Sequence, residues 1–336
     1  AIAGADDAQD ALVRNNRVYR SQKGITIRGS GWIVEHNEVE RVYDWGGGDC
    51  DYTRVFGENH VIRNNHFHGA RVDEIGSAHV DGIQFFDVNG DSINNIVFEN
   101  NLGFNFAQGF MAEATAHDAS GDVVFRNNVF AHGLIGLAEP GAAWGLDVHA
   151  VDRVTAINNT FVDIKHYGIG FRSGADDCVA NSNIFYQVGA SRSGDSNPAA
   201  QWDHNLYHQV DNIGTQGAND VEGDPRFVNA ANDDFHLLEG SAAIDKGADV
   251  GLVYDKDGIP RPLGEGFDIG AYEFTFGQTF DGGAAGDGLA GDIPSALADA
   301  LAGLLDGGAA TDGPSITRDT SASHPADSSE LAGSCA

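Results

Sequence analysis

Basic side chains are scarce in this chain, and several of them lie near the middle of the sequence together with two acidic residues. The 336 residues include only 4 Lys, 15 Arg and 13 His. The candidates for catalytic chemistry are His149, Lys165, Arg172, Glu113 and Asp147. A histidine or lysine can remove a proton, an arginine can neutralise a carboxylate, and two carboxyl groups can act as general acid and base. The sequence therefore predicts proton-transfer chemistry in this region.

A second set of side chains in the same region is suited to binding. Those expected to contact a ligand are His79, Gln84, Arg54, Trp45, Trp144 and Tyr167. Ca²⁺ prefers oxygen ligands, and the candidates to supply them are Asp81, Glu113 and Asp147. The loops expected to wall the site span residues 43–53, 70–82 and 134–145. We therefore expect a cleft that binds Ca²⁺.

Six short runs of alternating apolar and polar residues must position these side chains. They span residues 24–28, 52–56, 81–86, 109–113, 145–149 and 168–172. Such alternation is typical of strands with one buried face. The side chains directed outward are Thr26, Arg28, Arg54, Gln84, Glu113, Asp147, His149 and Arg172. In parallel strands stacked about 4.8 Å apart, they would form one column on a groove floor.

A recurring asparagine motif indicates how the strands are stacked. The motif appears eight times, and its shared residues are Asn16, Asn37, Asn65, Asn101, Asn128, Asn159, Asn183 and Asn205. A repeat with a minimum length and variable excess is expected of a solenoid whose coils carry insertions. Asparagine tolerates a left-handed backbone and can bond its copies in neighbouring coils. We therefore predict an asparagine ladder in an all-β, right-handed parallel β-helix.

Changes of composition divide the chain into four segments. Residues 1–12 are expected to form an N-terminal cap, with a short helix over the first coil. Residues 13–210 form the coils of the β-helix, and residues 211–275 form a C-terminal cap segment. Residues 276–336 are a low-complexity tail, in which the apolar spacing predicts a short helix near 293–305.

The segment 211–275 carries a series of specific motifs. In order they are DPRF (224–227), DFHLLEGSAAIDKG (234–247), DKDGIPRP (255–262) and DIGAYEF (268–274). With the asparagine repeats, these motifs resemble secreted right-handed parallel β-helix proteins of the pectate-lyase-like superfamily, which includes polysaccharide lyases. The resemblance implies a secreted or cell-surface protein whose partner is an acidic polysaccharide. It also implies a basic residue, an arginine and nearby Ca²⁺ on the strand face.

Two enzymatic chemistries fit the candidate residues. A lyase would cleave a uronate-containing polysaccharide by β-elimination, with Arg172 neutralising the carboxylate and His149 or Lys165 removing the C5 proton. C5-epimerisation begins with the same proton abstraction. A glycoside hydrolase would instead use Glu113 and Asp147, about 5 Å apart for retention of configuration and farther apart for inversion. The motif series of polygalacturonase-type hydrolases is absent from the sequence, which favours elimination.

A third interpretation involves no catalysis. A β-helix can serve as a surface adhesin or as an assembly protein that associates with its own copies through the coil ends or the tail. Coils of even length would be typical of a purely structural solenoid, whereas the asparagine spacings here range from 21 to 36 residues. This unevenness favours a cleft.

The overall charge limits the partners. The chain has 50 Asp and Glu against 19 Lys and Arg, for a formal charge of −31. Such a surface argues against binding to nucleic acid or to an anionic membrane, and no apolar run approaches the roughly 18 residues of a membrane span. Cys50, Cys178 and Cys335 are too few and too widely separated for a disulfide framework, and the first two are expected to be buried thiols.

Overall fold

The chain winds into a right-handed parallel β-helix, as the repeats predict, and its stacked strands form three faces, which we name the groove, lateral and back sheets. The computed structural model describes residues 1–46, 48–76, 78–86, 91–114, 120–133, 144–172 and 174–276. Helical structure in these residues is confined to an α-helix, Val72–Ile75, and a 3₁₀ turn, Ala230–Asn232. Neither is long and apolar enough to cross a membrane. The predicted helix near 293–305 lies outside the described residues.

The groove sheet carries the predicted column of polar side chains. Its strands are Ile2–Ala3, Lys23–Ile27, Asp49–Val55, His79–Phe86, Gln108–Glu113, Trp144–His149 and the second halves of Thr160–Phe171 and Ile184–Arg192. They coincide with all six predicted runs to within a few residues. The inward residues Ile83, Phe110 and Leu146 are at most 1% exposed, which confirms the predicted alternation at these strands.

Two further sheets complete each coil. The lateral sheet contains Arg17–Tyr19, Glu38–Glu40, His66–His68, Leu102–Phe104, Val129–Ala131, the first halves of Thr160–Phe171 and Ile184–Arg192, Leu206–His208 and Val221–Glu222. The back sheet contains Leu12–Arg14, Ile33–Glu35, Gly57–Glu58, Val61–Arg63, Ile93–Glu99, Gly121–Arg126, Thr155–Ile157, Val179–Asn181 and Gln201–Asp203. The two long strands turn from the lateral into the groove sheet, where their register shifts between Ile164 and Tyr167.

Stacked side chains fill the interior of the coils. Because each position repeats from coil to coil, identical residues meet in columns. Phe161 lies between Phe130 and Phe185, with ring centroids 5.6 and 5.2 Å away and rings within 12° of parallel. Cys50 and Cys178 are free and fully buried, as predicted, and burial raises the pKa of each thiol to about 12. The core therefore stabilises the fold by apolar packing along the whole axis.

The asparagine ladder is confirmed. The Oδ1 atom of each ladder residue from Asn37 to Asn205 accepts the backbone N–H and the Nδ2–H of the preceding ladder residue, at 2.9–3.1 Å. Asp220 takes over this role at the end, where its Oδ1 accepts the N–H of Asn205 at 2.8 Å. The ladder thus closes the turns between the back and lateral sheets.

The expected reason for asparagine at this turn is wrong in one respect. The residue with a left-handed backbone is the one before the ladder residue, with φ between 51° and 58° at Asn15, His36, Asn64, Asn100, Asn127, Asn158, Ser182 and His204. Histidine and serine also occupy this preceding position, whereas the ladder position itself is always Asn. Asparagine is therefore selected at the ladder position by its paired acceptor and donor.

The first residues cover the open edge of the groove sheet without a helix. Ile2–Ala3 pairs in parallel with Ile25 and Thr26, and Gln9 forms a bridge to Ser30. The expected N-terminal helix is therefore wrong. An unpaired strand edge exposes a row of N–H and C=O groups, and strand pairing satisfies them directly where a covering helix would not.

The segment 211–275 packs along the lateral sheet. Phe227–Asn229 and Asp234–Leu237 form an antiparallel hairpin. The apolar contact with the lateral sheet joins Phe235, Ala271 and Tyr272 to Phe104, Val129, Ala131 and Val162. Arg261 and Glu273 form a fully buried ion pair, and Arg261 also donates to the Asn127 side chain at 3.3 Å. The motifs of this segment therefore fasten it to the middle coils.

Candidate functional site

A groove of about 740 Å³ runs across the outer face of the groove sheet. Its described lining residues are Arg28, Gly48, Asp49, Arg54, Phe56, His79, Gln84, Phe86, Gln108, Met111, Glu113, Trp144, Asp147, His149 and Arg172. The predicted column supplies much of this floor. Most of the expected loop 134–145 lies outside the described residues, so only its end at Trp144 is placed.

The strand register divides the predicted column into two rows. Arg54, Gln84, Met111 and Asp147 are in register on four successive strands, so Met111 rather than Glu113 lies between Gln84 and Asp147. Glu113 lies opposite His149 on the neighbouring strand. Arg172 follows directly, because its N–H donates to the Val148 carbonyl at 2.8 Å.

Asp147 organises the end of the groove that holds the candidate catalytic residues. Asp147 is 6% exposed, and its carboxylate accepts hydrogen bonds from the Tyr167 hydroxyl at 2.8 Å and from the Arg172 guanidinium at 3.3 Å. The His149 Nε2 atom lies 3.8 Å from the same carboxylate. Arg172 donates from its other side to Asp195 at 3.0 Å. His149 is therefore a partly exposed imidazole beside an anchored ion pair.

The charges of this cluster shift two pKa values in the same direction. Partial burial alone would lower the pKa of Arg172, but the Asp147 and Asp195 carboxylates raise it above the usual arginine value. Burial and the Asp147 carboxylate raise the pKa of Tyr167 above that of an ordinary phenol. Arg172 is thus a permanent cation, and Tyr167 is a neutral hydrogen-bond donor that orients Asp147.

Glu113 and Asp147 are not stacked directly. Glu113 is paired with His149, two residues beyond Asp147 on the same strand. One strand spacing combined with two residues along the strand separates their Cα atoms by about 8 Å. The two residues are therefore not stacked at one strand spacing as a retaining pair would require, and the offset of their backbones favours the wider spacing of an inverting pair.

A second cluster, the aspartate cluster, adjoins the other end of the groove, which is lined by one of its three residues, Asp49. It consists of Asp49, Asp51 and Asp81, whose carboxylate oxygens lie within 4.8 Å of one another. Asp51 and Asp81 are fully buried and adjacent in register. Arg54 forms ion pairs with Asp49 and Asp51, and Gln84 donates to Asp81 at 2.9 Å. These contacts provide hydrogen-bond donors for only some of the carboxylate oxygens of the cluster.

Buried oxygen atoms of this cluster lack partners. Within the described part of the chain, Asp51 Oδ1, Asp81 Oδ1 and Gln108 Oε1 have no hydrogen-bond donor, and the three residues occupy successive strands in register. Burial raises the pKa of Asp51 to about 7, and burial together with Asp51 raises the pKa of Asp81 well above its usual range. Unpartnered oxygens of this kind fit a hard divalent cation such as Ca²⁺.

The expected calcium set of Asp81, Glu113 and Asp147 is not brought together. Asp81 is opposite Gln108, five residues before Glu113 on that strand. Asp147 is two strands and three residues away from Asp81, or about 14 Å. The strand that carries Asp81 near its start crosses the full width of the groove, and Glu113 lies opposite the far end of that strand. Asp81 and Glu113 are therefore too far apart to bind one ion.

Three other expected residues lie apart from the groove floor. Lys165 is exposed at the corner where its strand leaves the lateral sheet, and it is not among the described residues that line the groove. Trp45 is 71% exposed and packs on Tyr43 with ring centroids 4.8 Å apart. Tyr167 is buried beneath Asp147. Trp144 does line the groove, and it donates to the His166 ring at 3.2 Å.

Sequence reasoning missed Asp49, Asp51 and Gln108. They lie at the starts of strands that begin before the alternating runs used to predict them. An available signal was the pair Asp49 and Asp51, which a strand directs to one side, like His79 and Asp81 on the next coil. These residues come together only through the register between neighbouring coils. That register cannot be read from the sequence, because the inserts between the strands differ in length.

Comparison with known proteins is consistent with this architecture. No curated protein sequence matches the chain. The crystal structure of pectate lyase Pel9A is similar, with a TM-score of 0.51 and 17% sequence identity, over 79% of this chain and 65% of that one. The chain thus spans less than two thirds of that protein, and at this identity the likeness concerns the fold alone. A family model described as a right handed beta helix region matches residues 1–185. Since this match covers more than half of the sequence, the chain belongs to the right-handed β-helix family.

Proposed function

We propose that this chain is an extracellular lyase that cleaves an acidic polysaccharide by β-elimination in the groove and depends on Ca²⁺. The observation that carries the proposal is the position of His149 on the groove floor, between Glu113 and the Asp147–Arg172 ion pair. A partly exposed imidazole can remove a proton near neutral pH. The likeness of the fold to a pectate lyase supports a polysaccharide as the substrate.

The proposed step uses groups that the groove presents. The His149 imidazole takes the C5 proton of a uronate, the electron pair of that C–H bond forms the C4–C5 double bond, and the C4–O4 bond breaks. The departing O4 takes a proton from water. Arg172 donates to the uronate carboxylate and stabilises the negative charge that develops on it. Asp147 and Tyr167 hold Arg172 and His149 in place.

Arg172 alone gives incomplete neutralisation, because Asp147 and Asp195 already share its charge. The aspartate cluster would hold Ca²⁺ through Asp49, Asp51 and Asp81, with the Gln108 oxygen beside them. Such an ion supplies positive charge for a carboxylate of the bound polymer. The cluster lies about 14 Å from Asp147, so it would bind a different sugar of the same chain from the one next to His149.

The test is to incubate the protein with pectate, alginate and glycosaminoglycans, with CaCl₂ or EGTA, and to record the ultraviolet absorbance of the 4,5-unsaturated product. We expect activity on at least one substrate, loss with EGTA, and a decrease of about 10²–10⁴-fold in His149→Ala. His208→Ala, a histidine of the lateral sheet, is the matched control and should retain activity. Absence of product from every acidic glycan, with and without Ca²⁺, would refute the lyase.

Hydrolysis is the second candidate, because the offset of Glu113 and Asp147 fits an inverting pair. It would release reducing ends without the unsaturated absorbance, and Glu113→Gln would abolish it. Under the lyase proposal, Glu113→Gln leaves the proton-abstracting His149 in place. Binding of glycan without any turnover would instead support the adhesin interpretation.

A further inference from the structure

We propose that the lateral sheet carries a second metal site, for a divalent transition ion such as Zn²⁺, formed by Glu38, His66 and His68. His66 and His68 alternate on one strand and therefore point to the same side of it. Glu38 lies directly opposite His66 on the neighbouring strand. One ligand atom from each of the three residues lies within 4.8 Å of the others.

The three side chains already lie in contact, and a shared ion requires one of the two histidine rings to rotate, because an imidazole nitrogen ligates in the plane of its ring. The two imidazoles are stacked, with centroids 3.9 Å apart and planes 20° apart. The His68 Nε2 atom is 3.0 Å from Glu38 Oε1. Arg17 occupies the other Glu38 oxygen at 3.0 Å, so that Oε1 faces the histidines. Two imidazole nitrogens and one carboxylate oxygen form a ligand set typical of zinc, with a fourth position for water.

His66 supplies an independent observation. Its Nε2 atom is shielded from solvent and has no hydrogen-bond partner among the residues that the structure describes. A buried ring nitrogen without a partner is costly, and an ion is one of the few groups that would satisfy it.

The charges around this site are nearly balanced. Glu40 lies opposite His68 and is paired with Arg17. Lys256 is a cation whose charge acts on His66. The Asp257 carboxylate, 3.8 Å from the Lys256 ammonium group, offsets that charge. The nitrogen donors distinguish this site from the aspartate cluster, which offers oxygen alone. Zn²⁺ and Ca²⁺ should therefore bind at different places.

The experiment is calorimetric titration of the full chain with ZnCl₂ in saturating CaCl₂, which keeps the aspartate cluster occupied. We expect one tight site in the unaltered protein. His66→Gln and His68→Gln should each weaken it by more than about 100-fold, since even partners outside the ligand set typically contribute about 10–100-fold. His208→Gln, on the same sheet but stacked on Tyr186, is the matched control and should bind zinc normally.

A second measurement requires no variant. With one equivalent of Cu²⁺, the electron paramagnetic resonance spectrum of the unaltered protein should show coupling to two imidazole nitrogens. A spectrum of oxygen ligation only, or zinc binding that is equal in the unaltered protein and the His66→Gln and His68→Gln variants, would overturn the proposal. Neither readout involves polysaccharide cleavage, so the result is independent of the function proposed for the groove.

Discussion

Replacement of Asn128 by alanine tests the asparagine ladder at one of its fully buried positions. The side chain is fully buried. Its Oδ1 atom accepts two bonds from Asn101 at 3.0 Å, and its Nδ2 group donates to Phe98 at 2.9 Å and to Asn159 at 3.0 Å. Truncation removes all four bonds at once and leaves a small cavity between two coils.

The magnitude follows from which groups lose their partner. The Asn101 Nδ2 group keeps its bond to Ile62, and Asn159 Oδ1 keeps the N–H of residue 128. The Asn101 N–H and the Phe98 carbonyl lose the bonds that the Asn128 side chain makes to them. At about 1–3 kcal/mol for each of these two unmet buried groups, the free energy of unfolding should fall by about 2–6 kcal/mol. Asn16→Ala, at the exposed end of the ladder, should cost below about 1 kcal/mol.

The assay is urea unfolding followed by circular dichroism, with the midpoint compared at an unchanged slope. Asn128→Asp adds a further check, because a carboxylate accepts from Asn101 but donates nothing to Phe98 or Asn159. It should therefore be destabilising although it is nearly the same size. If Asn128→Ala lowered the free energy of unfolding no more than Asn16→Ala does, the buried hydrogen bonds of the ladder would not stabilise the protein.

Three further predictions concern buried charge, buried ion pairing and stacking. Because burial raises the pKa of Asp51 to about 7, the folded state holds a proton that the unfolded chain releases above about pH 4, so metal-free protein should lose stability as pH rises from about 4 to 7. Millimolar CaCl₂ should restore stability at about pH 8, as measured by urea unfolding against an EGTA control. Arg261→Met should destabilise by about 3–5 kcal/mol, and adding Glu273→Gln should recover part of that loss in thermal unfolding. Phe161→Ala should cost about 3–5 kcal/mol in the same assay, whereas Phe276→Ala, at an 82% exposed position, should change little.

The coil architecture could be predicted from sequence because each coil repeats the same local requirement. A ladder asparagine between two apolar residues, followed by an alternating strand, occurs in many coils. A wrong strand assignment in one coil is therefore corrected by comparison with the other coils. The inward and outward faces at Ile83 and Asp147 followed from alternation alone. Alternation needs no knowledge of neighbouring coils, so it survived the variable inserts.

The parts that failed depend on contacts between coils. The N-terminal helix was expected from composition, whereas the edge offered by Ile25 and Thr26 determined a strand. The expected calcium set combines Asp81, at the start of one predicted strand, with Glu113 and Asp147 of the column, but Asp81 and Glu113 lie at opposite ends of the groove's width. Position along a strand relative to the next coil is fixed by register, and register cannot be read from a sequence whose loops differ in length.

The charges along the groove connect the fold to the proposed chemistry. Three arginines are among its described lining residues, in a chain whose formal charge is −31. Each of them is paired with two carboxylates: Arg28 with Asp6 and Asp91, Arg54 with Asp49 and Asp51, and Arg172 with Asp147 and Asp195. These pairs orient the guanidinium groups but leave little net positive charge for an anionic polymer. Under the proposed function, attraction of a polyuronate therefore requires a bound cation, and we assign it to the buried oxygens of Asp51 and Asp81, which have no partner among the described residues. Cleavage of an acidic glycan that is unaffected by EGTA would therefore contradict this reading of the groove, even if His149 proved to be essential.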